Sequence, residues 1–243
     1  MSLKPFWRYF GGKYRVSPHY PPPRHKQIIE PFAGAAGYSL RYPDRDVLLI
    51  DKSSTICGIW DYLIHAPKAE IASLPDIRLG QSVDDLLICQ EARDLMGFWC
   101  NGGAAQPCKT PSAWASLETV RHKNWNTLGR QRCANQVEYI RHWRIQQGSY
   151  QDAPDVDATW FVDPPYQQAG VRYKHSSKEI DFQHLGSWCQ SRKGLVLVCE
   201  NEGADWLPFE PFRQISGTPG KYRTGRSVEV LWTNTPRNIF EDF

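Results

Sequence analysis

The chain has 243 residues, of which 41% are hydrophobic and 23% charged, with seven cysteines and a formal net charge of +3. That is ordinary for a soluble globular protein built as one large domain, or as a domain with a sizeable insertion. No apolar run is long enough to span a bilayer, the opening MSLKPFWRYFGGK lacks the apolar core of a secretory signal, and the cysteines form no Cys-x-x-Cys pair. A membrane protein, an exported protein and a zinc site are therefore not expected; a cytoplasmic protein is.

In chain order, HKQIIEP (25–31) is a short apolar strand followed by the Gly-rich AGAAG and a helix-like YSLRY. DVLLID (46–51) is a second strand, and SSTICGIWDYLIH (53–65) a helix with Ile56, Ile59, Trp60 and Leu63 on one face and Ser53 or Ser54 as its cap. From Asp76 to Gln147 no strand is expected. SVDDLLICQEARDLMGFWCN and RCANQVEYIRHWRIQQ read as helices around a polar linker. Strand patterns return at ATWFVD (158–163), GLVLVCEN (194–201) and SVEVLWTN (227–234), with a helix over 181–192. Strands alternating with helices imply a doubly wound, mainly parallel α/β sheet. The predicted organisation is a core domain in two parts, 1–75 and 148–243, interrupted by a helical insertion over 76–147.

Charge is segregated. Residues 1–29 hold six Lys/Arg and no acid, residues 119–147 six against Glu138 alone, and residues 213–226 four and no acid. These segments carry +15 within a chain of net +3, which suggests a polyanionic partner. Solvated basic loops would give the same pattern.

Two stretches carry chemistry. In IIEPFAGAAG, Gly34 and Gly37 allow close backbone approach to a ligand and aim a helix N-terminus at it, or else simply make a tight turn. Asp51 ends the next strand, where an acid receives a ribose hydroxyl pair or caps the following helix. In TWFVDPPYQQAG, two prolines stop a buried strand and leave Asp163, a rigid kink and Tyr166 together at its carboxyl end.

Taken together, RYFGGKY (8–14), EPFAGAAG (30–37), Asp51 and Asp163-Pro164-Pro165-Tyr166 resemble, in identity and order, the DNA adenine-N6 methyltransferases that use S-adenosylmethionine and carry an amino-terminal cofactor motif. The likeness covers roughly 4–66 and 140–235. It implies a class I methyltransferase-like, Rossmann-like fold, DNA as partner, base flipping and DNA modification, whether for restriction–modification, regulation or protection of a mobile element. Nothing in the sequence suggests an obligate oligomer, so a monomer is expected. Asp163 and the Pro164 carbonyl would hold the target amine, with Pro165 stiffening the turn and Tyr166 stacking on the base. Tyr9, Gly12, Lys13, Glu30, Pro31, Phe32, Gly34, Asp51, Tyr150 and Asp163 would line the cofactor site, with Lys13 meeting the methionine carboxylate. In Tyr150's segment the family's usual acid is replaced by Ser149.

Arg121, Lys123, Asn124, Arg130 and Arg132, together with Lys221, Arg223 and Arg226 before the closing hairpin, are the candidate DNA contacts, and Trp125 is a wedge or a buried packing residue. Cytosine-N4 or RNA methylation and a non-catalytic nucleic-acid binder on the same fold are the rival expectations.

Overall fold

The computed structural model describes residues 2–101, 103–113, 125–170, 173–215 and 227–235. Seven strands form one sheet: β1 (Gln27–Glu30), β2 (Asp46–Asp51), β3 (Arg144–Gln147), β4 (Ala158–Val162), β5 (Gly194–Asn201), β6 (Glu210–Ile215) and β7 (Ser227–Thr233). Their order is β3-β2-β1-β4-β5-β7-β6. The first five are parallel, and β7 runs antiparallel to both β5 and β6. Among the described residues five α-helices accompany them: α1 (Ser54–His65), α2 (Lys68–Ser73), α3 (Gln90–Trp99), α4 (Thr127–Gln136) and α5 (Phe182–Ser191). The protein is thus α/β, with a mostly parallel sheet flanked by helices, as a Rossmann-like fold requires. Among the described residues no helix is long and apolar enough to cross a membrane.

The strands alternate in the period of two that a sheet covered on both faces demands. Ile28, Val47, Leu49, Phe161, Leu195, Leu197 and Cys199 point into one core, shared with α1, α3 and α4. Ile29, Leu48, Ile50, Trp160, Val162, Val196 and Val198 point into the other, against Leu185, Trp188 and Cys189 of α5. Side chains start three of these helices. Ser53 accepts from Ile56 N–H, Asn126 from Gly129 N–H and Asp181 from His184 N–H, each satisfying an orphan donor of a first turn.

Several expectations need correction. YSLRY makes only the 3-10 turn Ser39–Arg41, because Pro43 follows Tyr42 and disfavours helical backbone there. No α-helix N-terminus therefore points from the Gly-rich turn. Arg144–Gln147, read as the end of a helix, is β3 and pairs in register with β2. The preceding helix α4 starts earlier than expected and stops at Gln136. Of SVDDLLICQEARDLMGFWCN, the α-helix covers only Gln90–Trp99. The strand β6 was not expected at all. The middle segment also shares its core with the rest: Leu95, Phe98, Trp99, Cys133, Val137 and Ile140 belong to the same apolar cluster as Phe6, Ile28 and Trp60. Trp125 is buried, donates to the Pro75 carbonyl at 2.9 Å and packs edge-on to Trp99, so it is a packing residue and not a wedge.

Candidate functional site

In the order β3-β2-β1-β4-β5, chain direction across the sheet switches between β1 and β4. The crevice beyond the carboxyl ends of those two strands is where an open α/β sheet binds ligands. Here it is a cavity of about 390 Å³. Glu30 closes β1, Asp51 closes β2 and Asp163 follows β4, so three strand ends deliver three carboxyl groups to one cavity wall.

The Gly-rich loop is held from three sides. Ala33 N–H donates to the Ile50 carbonyl, Gly34 N–H to Asp51 Oδ2 at 3.0 Å, and Trp60 Nε1 to the Gly34 carbonyl at 2.8 Å. Gly34 sits at φ +44°, and a β-carbon there would lie 3.0 Å from the Tyr9 ring. At Gly37 a β-carbon would come 2.6 Å from the Tyr14 backbone nitrogen. These two glycines let the segment RYFGGKY lie directly on the loop. Close backbone approach is thus realised, but by the amino-terminal arm.

Lys13 comes in on that arm. It is buried, and its Nζ lies 2.7 Å from Asp163 Oδ1, 3.0 Å from the Gly11 carbonyl and 4.6 Å from the centre of the Tyr166 ring. Burial alone would depress the ammonium, but the Asp163 carboxylate, followed by Tyr166, holds it well above the ordinary lysine range. Asp163 is pushed up by burial and pulled back by Lys13. Among the described residues Asp163 Oδ2 makes no hydrogen bond, and it stays partly open to the cavity.

Burial likewise raises Glu30, to about 8, against the opposing Ser39 N–H that its Oε1 accepts at 2.8 Å. Asp51 is raised by burial and lowered by the Gly34 and Ser53 N–H groups. Both Asp51 oxygens thus serve the backbone: Oδ1 accepts from Ser53 at 2.8 Å and Oδ2 from Gly34.

Across the cavity Phe32 and Tyr150 stack at 5.8 Å and 27°, with the Tyr150 hydroxyl fixed by His184 Nδ1 at 2.7 Å. Tyr9, Gly12, Lys13, Glu30, Pro31, Phe32, Gly34, Asp51, Tyr150 and Asp163 all line this one cavity. Of the DPPY tetrapeptide, Asp163 and Pro165 line it too, whereas Pro164 is buried. Tyr166 lies outside the lining, packed on the core beneath Lys13, so one face of its ring is already covered.

Of the DNA-contact candidates, Arg130 and Arg132 lie among the described residues. Arg121, Lys123, Asn124, Lys221, Arg223 and Arg226 lie outside the described residues. Arg130 is committed to Asp76 at 2.5 Å, and Arg132 lies over the Trp99 ring. The sequence reading missed the strap from Tyr173 to Asp181, which closes one side of the cavity. Tyr173 anchors it by donating to the Phe10 carbonyl at 3.0 Å. The sequence shows only a polar run, YKHSSKEID, some way downstream of β4, and does not say where that run sits.

No family model matches the chain, and no curated protein is found to match it.

Proposed function

We propose that the protein transfers a methyl group from S-adenosylmethionine to N6 of an adenine flipped out of DNA. The observation that carries this reading is the meeting of Asp163 with the Glu30–Gly37 loop on one cavity at the β1/β4 switch point. The two stretches that suggested the family are far apart in sequence and share one wall.

The cavity residues suit the cofactor. Its volume falls in the range of small-molecule sites, roughly 300–1,000 Å³. The Phe32–Tyr150 pair offers a ring platform for an adenine, and Asp51, Glu30 and the Gly34 backbone offer polar partners for a ribose and an amino group. When bound, the donor supplies an electrophilic methyl on a positively charged sulfur.

The chain's own part is to hold the nucleophile. An exocyclic adenine amine is a poor nucleophile because its lone pair is delocalised into the ring. Asp163 Oδ2, which makes no hydrogen bond among the described residues, accepts one N–H, and the rigid Pro164 carbonyl accepts the other. Lys13, bound to Oδ1, fixes the carboxylate's orientation. Positioning and electrostatic preorganisation are then the source of rate.

The test is incubation of purified protein with labelled S-adenosylmethionine and unmethylated duplex DNA, followed by nucleoside mass spectrometry, with Asp163→Ala alongside. N6-methyladenine from wild type alone is the expected result. Label in cytosine or RNA only would replace the substrate assignment. Binding of both ligands without transfer would leave a non-catalytic binder.

A further inference from the structure

The amino-terminal arm is pinned across α3 and α4. Trp99 Nε1 and Cys133 Sγ both donate to the Phe6 carbonyl, at 2.9 and 3.4 Å. The Gln136 side chain grips the Lys4 backbone twice, accepting from its N–H at 2.6 Å and donating to its carbonyl at 3.0 Å. This docking puts Arg8 of the arm and Arg132 of α4 on the same indole, their guanidinium carbons 5.9 and 4.9 Å from the centre of the Trp99 ring. Arg15 is exposed at the end of the 3-10 turn Lys13–Arg15 on the same arm. Burial lowers the Arg8 guanidinium below the usual arginine range, and the charges of Arg132 and Arg15 lower it further. Beside them Lys4 and Arg41 share the Tyr14 ring, at 5.8 and 4.5 Å. Among the described residues none of these five cations pairs with a carboxylate.

Gathering like charges without an acid is costly, and each stacking contact returns only about 0.5–1 kcal/mol at a partly exposed site. Ordinary helix or loop stability needs none of this. Planar guanidiniums laid on aromatic plates are, however, preorganised for phosphate oxygens. The location also fits: Tyr9, Lys13 and Phe98, the chain neighbours of Arg8, Tyr14 and Trp99, line the cavity.

We propose that Arg8 and Arg132, mounted on Trp99, together with Arg15 of the same arm, form a clamp for the sugar–phosphate backbone of DNA beside the cavity mouth. The identity of the polyanion rests on the DNA-methylation reading above; the clamp itself rests on the arm's geometry. Arg8 and Arg15 lie in the basic segment 1–29 but are not among the residues singled out from the sequence as candidate DNA contacts.

The test is a titration of labelled duplex DNA against the full chain at several salt concentrations, for wild type, R8Q/R15Q and R8K/R15K. Each lost phosphate contact lowers the slope of log affinity against log salt by about 0.9, so R8Q/R15Q is expected to lose about two and to bind at least tenfold more weakly. R8K/R15K, which keeps both charges, is expected to retain most of the slope. Thermal unfolding and S-adenosylmethionine affinity, both expected to match wild type, report on the fold of the variants. Wild-type affinity and slope in a folded R8Q/R15Q would overturn the clamp while leaving methyl transfer standing. Loss in R8Q/R15Q, with no methyl transfer by wild type, would support the clamp and overturn the catalytic reading. Wild type that binds no duplex at all would overturn both.

Discussion

Lys13 Nζ holds Asp163 Oδ1 at 2.7 Å, joining the amino-terminal arm to the carboxyl end of β4. The pair is the only ion pair among the described residues in which a buried ammonium meets a carboxylate of the cavity wall. Removing one member leaves the other poorly solvated without its partner, which costs about 3–5 kcal/mol in a buried pair. Lys13→Met is therefore expected to lower Tm by roughly 6–20 °C, at about 2–4 °C per kcal/mol for a chain of this size. Adding Asp163→Asn to Lys13→Met is expected to recover part of that loss, because no unpaired charge remains. A double-mutant cycle by thermal unfolding reads the coupling, and strict additivity would show the contact to be energetically idle.

The stability of the protein is expected to fall as pH rises from about 4.5 to about 8. Glu30 sets the window. Its carboxyl titrates near 4.5 when unfolded and near 8 when folded, raised by burial. Between those values the folded state binds more protons than the unfolded chain, so raising the pH favours unfolding; above about 8 the effect is complete. Asp51, Asp163, Glu200 and Glu229 are raised by the same cause and add to the acid side of the slope. Glu30→Gln, which stays neutral throughout, is expected to flatten the profile. Urea denaturation of both proteins at about pH 5 and about pH 9 measures the difference. An unchanged slope in the variant would mean that Glu30 is ionised in the folded protein.

The sequence exposed the centre of the sheet and hid its edges. Thr159–Val162 and Leu195–Cys199 are β-branched, aromatic and apolar because both faces are buried, and they read as strands at once. The two strands not foreseen, β3 and β6, are the outermost members of the sheet. Arg144-Ile145-Gln146-Gln147 is mostly polar, and Ile140 and Trp143 just before it repeat at a helical interval. Pro211 interrupts the apolar pattern of β6, as edge strands allow. The cavity's lining was legible where motif residues supplied it. The Tyr173–Asp181 strap was not, since its place depends on where β4 ends relative to β1, and only topology decides that.

Gly37→Ala is expected to loosen the arm from the Gly-rich loop. The new methyl would lie 2.6 Å from the Tyr14 nitrogen and 3.0 Å from Lys13 backbone atoms, and backbone on both sides has little room to give. Overpacking of this kind costs about 1–3 kcal/mol. Because Lys13 moves with the arm, ligand affinity is expected to fall along with Tm. Calorimetric titration with S-adenosylmethionine tests this; wild-type affinity in the variant would show that the arm's seat on the loop is irrelevant to the cavity.

Tyr150 allows platform and hydrogen bond to be separated. Its ring stacks on Phe32 at 5.8 Å, and its hydroxyl meets His184 Nδ1 at 2.7 Å. Tyr150→Phe keeps the ring and loses one neutral hydrogen bond, worth about 1 kcal/mol, so a Tm decrease of a few degrees with little change in ligand affinity is expected. Tyr150→Ala removes the surface itself. If that surface receives an adenine ring, S-adenosylmethionine affinity should fall by about 1–3 kcal/mol, roughly 5- to 150-fold, the range for stacking on an aromatic side chain. Equilibrium binding to the three proteins distinguishes the cases. Equal losses in both variants would assign the role to the hydroxyl and His184, whereas equal retention would move the adenine elsewhere on the cavity wall.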